Sequence, residues 1–115
     1  MGTKTKLPVR RDIEMKRGMD WNWTIRLLEN DGVTAINTTG YTATFAIKAP
    51  GGAVYDTLVI DNGITHTPVN GQFNIGRAYT TVDGYEFSSA EYDLIFVNTL
   101  SKHWCAFYGN IKVMP

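Results

Sequence analysis

The 115-residue sequence has a single cysteine, Cys105, so an internal disulfide and a thiolate zinc cluster are both excluded. No apolar run approaches the eighteen or so residues that span a bilayer, and the Lys- and Arg-rich start lacks the apolar stretch of a signal peptide. A soluble product that does not use the secretory route is expected. Only two histidines occur, His66 and His103, far apart and without Cys, Asp or Glu at ligand spacing, so no metal and no cofactor are expected. No Gly-rich phosphate loop is present. Net charge is also missing, because eleven Lys and Arg balance eleven Asp and Glu. No global field therefore draws the chain to nucleic acid or to a membrane.

That balance conceals an asymmetry. Residues 1–17 carry Lys4, Lys6, Arg10, Arg11, Lys16 and Arg17 against Asp12 and Glu14, so the opening segment is basic and the remainder equally acidic.

What the chain has in quantity is turn chemistry and strand formers. Asn30-Asp31-Gly32, Thr39-Gly40, Pro50-Gly51-Gly52, Asp61-Asn62-Gly63, Asn70-Gly71 and Asp83-Gly84 punctuate it every ten residues or so. Between them, Trp21, Trp23, Ile25 and Leu27 alternate with polar residues, as do Tyr41, Ala43, Phe45 and Ile47. Val54 to Ile60, Ile64 to Pro68 and Gln72 to Ile75 read as shorter strands, joined by turns tight enough to require antiparallel neighbours. Ala78 to Asp83 reads as one helical turn. The expected fold is all-β: an antiparallel immunoglobulin-like β-sandwich of about seven or eight strands, with residues 1–12 as a basic arm and 13–115 as one domain.

The last two strands, Glu91 to Asn98 and His103 to Met114, flank the loop Thr99-Leu100-Ser101-Lys102. A four-residue loop pairs Asn98 with His103. Counting inward places Phe96, Leu94 and Tyr92 opposite Cys105, Phe107 and Gly109 on the core face. Val97, Ile95 and Asp93 then oppose Trp104, Ala106 and Tyr108 on the other. Both faces are apolar, whereas a sandwich strand normally buries one. The second face, Ile95, Val97, Trp104 and Tyr108, thus needs a cover: another polypeptide, or this chain's own arm or loop. The exposure of Trp104 in one chain separates the two.

No catalytic constellation emerges. This register turns Cys105 inward, where it is an inert apolar side chain. Glu91 with Asp93, and Asp56 with Asp61, are carboxylate pairs that any acidic β-domain offers, while Asp31, Asp61 and Asp83 are explained by turns. The chain is not expected to be an enzyme. The competing reading is a carbohydrate-binding module using Tyr55, Tyr79, Tyr85 and Trp104 as platforms, although most aromatics, Trp21 and Trp23 among them, are needed inside. The basic arm has three readings: a solvated terminus, a weak phosphate contact, or a strap lying on the acidic surface of a neighbouring copy. The last makes Lys4, Lys6, Arg10 and Arg11 interface residues, with association that weakens in salt and is lost on deleting residues 1–12.

Several segments in order bear a likeness. Asp20 to Leu27 before Glu29-Asn30-Asp31-Gly32, Thr38 to Lys48, Ile60 to Ile64, Asn70 to Ile75, Ala90-Glu91-Tyr92-Asp93-Leu94 and the closing Gly109-Asn110-Ile111-Lys112-Val113 follow one another across residues 12–115. In that order the chain resembles small bacteriophage virion proteins with the immunoglobulin-like domain found at the N-terminus of phage baseplate upper proteins. The resemblance implies a non-enzymatic structural component of a virion, in tail, neck or baseplate, made in the cytoplasm of a bacterial host. It further implies several copies, assembling with one another and with other virion proteins or anchoring fibres. With no fibre, lectin or receptor-binding part after Pro115, host recognition is not expected.

Overall fold

The computed structural model describes residues 9–29 and 31–115. Its strands are β1 (Val9–Arg10), β2 (Ile13–Lys16), β3 (Trp21–Arg26), β4 (Thr42–Lys48), β5 (Val54–Ile60), β6 (Gly63–Thr67), β7 (Gln72–Arg77), β8 (Ser89–Val97) and β9 (His103–Met114). Helical structure among the described residues is limited to a 3-10 turn at Pro68–Asn70 and α1 (Tyr79–Asp83). The all-β reading holds, and α1 is the single helical turn the sequence predicts.

The strands join in the order β1-β9-β8-β4-β5-β6-β7-β3, with β2 following β1 along the same edge of β9. The sheet is mixed rather than wholly antiparallel. β1 and β2 run parallel to β9, and β5 and β6 share two parallel rungs across the turn at Asp61 and Asn62. That turn fails to reverse the chain because Asp61 and Gly63 both adopt left-handed backbone, at φ 72° and 95°. The strand leaves as a crook and finds its antiparallel partner in β7 instead.

The sheet curls until its far strands meet face to face. Trp23 of β3 packs edge-on against Phe107 of β9 at 4.9 Å, and Phe73 of β7 against Phe96 of β8 at 4.8 Å. The core so enclosed comprises Phe45, Ile47, Leu58, Ile64, Phe73, Ile75, Leu94, Phe96 and Ile111, all essentially inaccessible, with Met15 and Ile13 contributed by β2. Each such side chain stabilises the fold by about 1.5–3 kcal/mol through removal of apolar surface from water.

Two departures bear on the predicted contact residues. First, the sheet begins at Val9, inside the segment expected to be an arm. Arg11 N–H donates to the Tyr108 carbonyl, and Tyr92 Oη donates to the Arg11 carbonyl at 2.6 Å. Gly109 makes this approach possible, since a Cβ there would drive into the Arg11 carbonyl oxygen. Second, the β8–β9 register slips by one residue between Leu94 and Ile95. Tyr92, Asp93 and Leu94 face Gly109, Tyr108 and Phe107 as the sequence predicts, but beyond the slip Ile95 faces Cys105, Phe96 faces Trp104 and Val97 faces His103. Ala106 is the extra residue of a β-bulge. Its origin is the loop: Asn98 N–H bonds the Lys102 carbonyl, Ser101 sits at φ 59°, and the Asn98 side chain accepts from the Leu100 and Lys102 amides. The loop therefore spans Asn98 to Lys102, one residue longer than counted.

Candidate functional site

The slip moves two side chains to the opposite face. Trp104 lies on the core side with Phe96, rings 5.6 Å apart, and meets Tyr41 edge-on. Cys105, expected inside, stands on the outer face, where its thiol donates to the Phe107 carbonyl at 3.3 Å. Burial raises the Cys105 thiol above its usual range, with the Asp93 charge acting in the same direction.

The outer face thus keeps Ile95, Val97 and Tyr108 of the predicted set and has Cys105 in place of Trp104. Val59, Thr44, Ile95 and Cys105 align across β5, β4, β8 and β9, and Thr57, Ala46, Asp93, Tyr108 and Arg10 form the next row. Ile95 and Val97 are half-buried, while Val59 and Tyr108 are 37% and 40% exposed. Asp93 is neutralised by Lys48 at 2.7 Å, which leaves a low-charge surface of small and apolar side chains.

Trp104 is half-buried within one chain and lines an apolar groove of about 340 Å³ at the mouth of the curled sheet, with Val9, Leu27, Ile36, Tyr41 and Phe107, so its cover is this chain's own and not another polypeptide. Leu27, Leu28, Ile36 and Tyr41 form one wall. It is tied down by Gly71, whose left-handed backbone allows the Leu27 amide onto its carbonyl at 2.8 Å, and by Thr38. Thr38 is fully buried, its hydroxyl 2.8 Å from His66 Nε2 and 3.2 Å from the Pro68 carbonyl. His66 stacks on Phe73, and burial lowers its pKa. His66 is thus half-buried, whereas His103 is exposed.

No known protein-family model matches the chain, and no curated protein matches its sequence. The functional reading therefore rests on the residues themselves.

Of the four predicted basic contacts, Lys4 and Lys6 lie outside the described residues. Arg10 flanks Tyr108 on the outer face and pairs with Asp12 at 3.3 Å, and Arg11 covers the Trp23 ring at 5.0 Å. The two remaining cations of the segment are held within the fold. Lys16 reaches the Pro115 carbonyl, and the Arg17 guanidinium gathers the carbonyls of Val82, Asp83, Tyr85 and Phe87 around the end of α1.

The aromatic platform does not assemble as drawn. Tyr85 is buried, with its hydroxyl donating to Asp56 at 2.6 Å, and Trp104 belongs to the groove. Tyr55 and Tyr79 remain half-exposed, Tyr55 stacked on Phe87 at 4.4 Å. Asp56 is the carboxylate that sequence reasoning did not single out. Arg77 grips it through two hydrogen bonds of 3.0 Å across the curl of the sheet, from β7 to β5. Burial opposes the charge on Asp56, yet the hydrogen bonds from Arg77 and Tyr85 outweigh it and keep the carboxyl below its ordinary range. Tyr85 is correspondingly raised, by burial first and by Asp56 second. No residue spacing marks this trio, because its members meet only through the curl. Among the described residues no group of three His, Cys, Asp or Glu is placed to hold a metal ion, and no helix is long and apolar enough to cross a membrane.

Proposed function

We propose that the protein is a non-enzymatic assembly component of a bacteriophage virion, of the tail, neck or baseplate, that binds copies of itself and other virion proteins. The observation that carries the assembly reading is the outer face of β5, β4, β8 and β9. Val59, Ile95, Val97 and Tyr108 give it apolar area, Thr42, Thr44 and Thr57 fill the spaces between, and Arg10 stands at its rim. A low-charge patch with a charged rim is the usual anatomy of a protein–protein contact. The phage setting rests on the sequence resemblance alone.

For the fold we infer a variant of the immunoglobulin-like sandwich, in which β6, β7 and β3 form one layer over β4, β8 and β9. The Trp23–Phe107 and Phe73–Phe96 contacts support two layers, and the parallel β1 and β2 are additions along β9.

Sedimentation of the purified chain across a salt series tests the reading. Tyr108→Glu, together with Ile95→Asp as a second variant, weakens self-association or particle incorporation by at least about tenfold, as expected for a charge placed in a desolvated contact. Deleting residues 1–8, which removes Lys4 and Lys6 and leaves β1 in place, reduces the salt dependence. A chain that stays monomeric and never enters a particle sinks the proposal. Specific glycan binding lost on Tyr55→Ala would instead favour the carbohydrate reading, since Tyr55 is the exposed ring of an aromatic stack.

A further inference from the structure

β3 ends the strand order. β7 pairs with one side of it, and among the described residues no strand pairs with the other. Along the regular edge from Trp21 to Arg26, Asn22, Thr24 and Arg26 turn their main-chain groups away from β7 and offer them to another strand, with Arg11 to Glu14 lying beside the Trp21 end. Proteins commonly block such an edge with a bulge, a proline or a lysine, and β3 contains no proline or lysine and pairs with β7 without a register shift.

The side chains along this edge are self-complementary about Trp23. Asn22 and Thr24 stand one residue either side of it, Trp21 and Ile25 two, and Asp20 and Arg26 three. Asp20, Asn22, Thr24 and Arg26 are all exposed on the outer face, whereas Trp21, Trp23 and Ile25 turn to the core. Neither Asp20 nor Arg26 has an ion-pair partner among the described residues. Asp20 accepts the Tyr79 amide through Oδ1 at 2.8 Å, which leaves Oδ2 for a cation.

We propose that β3 pairs antiparallel with β3 of a second copy about a two-fold axis through Trp23. This register sets Asp20 of each copy opposite Arg26 of the other and Asn22 opposite Thr24, with Trp21 opposite Ile25 on the inner side. Charge selects it over its neighbours. Shifting the strands by one residue puts polar side chains against apolar ones. An axis through Thr24 leaves Asp20 opposite Leu28, and one through Asn22 leaves Arg26 opposite Gly18. Only the Trp23 axis joins opposite charges, and the two-fold makes the pair twice, as an isologous interface requires. The pairing goes beyond the outer-face contact of the assembly reading and uses a different surface.

The test is a charge exchange on the full chain, read by sedimentation equilibrium at low salt. Arg26→Asp sets two like pairs across the axis, and so does Asp20→Arg. Each variant alone dimerises at least about tenfold more weakly than the unaltered chain. An equimolar mixture of the two restores heterodimer, because every Asp then meets an Arg. Circular dichroism checks that each variant is folded, since Asp20 also caps α1. Independently of any variant, the amides of Asn22, Thr24 and Arg26, which face away from β7, exchange more slowly as concentration of the unaltered chain rises. A mixture that stays dissociated, or edge amides indifferent to concentration, overturns the pairing. If the chain self-associates and Tyr108→Glu abolishes this while Arg26→Asp does not, the β3 pairing fails and the assembly reading stands.

Discussion

At the scale of single residues, the side chains with most influence are those that join strands distant in sequence. The Asp56–Arg77–Tyr85 trio is largely shielded, its Arg and Asp side chains 16% and 18% exposed. Removing one partner leaves the others partly desolvated and unmatched. Tyr85→Phe therefore lowers unfolding free energy by about 1–2 kcal/mol and Arg77→Gln by about 2–4 kcal/mol in urea denaturation. Gly109→Ala forces the Arg11 carbonyl away from β9 and costs about 1–3 kcal/mol, read the same way.

His66 makes the fold sensitive to mild acid. Its pKa is depressed in the folded protein, so the unfolded chain takes up a proton first, near the ordinary 6.5. Stability is full above pH 6.5 and falls as pH drops from there to the depressed folded value. Asp56 acts in the same direction but later, below its ordinary 3.8. Between pH 7.5 and 5 the loss belongs to His66. His66→Gln flattens the stability profile over that range, and a profile unchanged by the substitution contradicts the assignment.

At the scale of elements, the β8–β9 hairpin decides which side chains are available for contact. Its loop is organised by Asn98, which accepts the amides of Leu100 and Lys102, so Asn98→Ala destabilises by about 1 kcal/mol. Deleting Ala106 removes the bulge and makes Cys105 directly precede Phe107, so the pairs Leu94–Phe107, Ile95–Cys105 and Phe96–Trp104 persist as an uninterrupted ladder. Trp104 keeps its contacts with Phe96 and Tyr41, and acrylamide quenching of tryptophan fluorescence stays as in the unaltered chain. Stronger quenching contradicts this register. The strand alternation itself was legible: β5 and β9 have the bounds read from the sequence, and β3, β4, β7 and β8 lie within one or two residues of theirs. The bulge was not legible, because loop length alone sets the count and a five-residue loop closed by Asn98 differs from a four-residue one only in its hydrogen bonds. β2 was partly legible, since Ile13 and Met15 alternate with Glu14 and Lys16 and are buried as a pair, but the charges around them hide the pattern.

At the scale of the whole molecule, the division into a basic opening and an acidic remainder takes a more particular form. Arg11 and Arg17 are engaged within the fold, on the Trp23 ring and at the end of α1, and only Arg10 of the described cations in that segment borders the outer face. In the proposed assembly, attraction between copies is therefore expected to be weaker than the formal charges imply, with its salt dependence residing in Lys4, Lys6 and Arg10. In a salt series the slope is halved or more by removing residues 1–8, while the apolar contribution from Ile95, Val97 and Tyr108 persists in high salt.

The sequence by itself determined that the chain is all-β, where its turns fall and which residues alternate into the core, because these follow from local backbone preferences and a two-residue period. Tertiary structure alone decided three things. It joined Asp56, Arg77 and Tyr85 across the curl, it took residues 9–16 into the sheet along β9, and it exchanged Trp104 and Cys105 between faces. Each depends on how one strand meets another that is distant in sequence or offset by a single bulged residue, and a period of two carries no information about that offset.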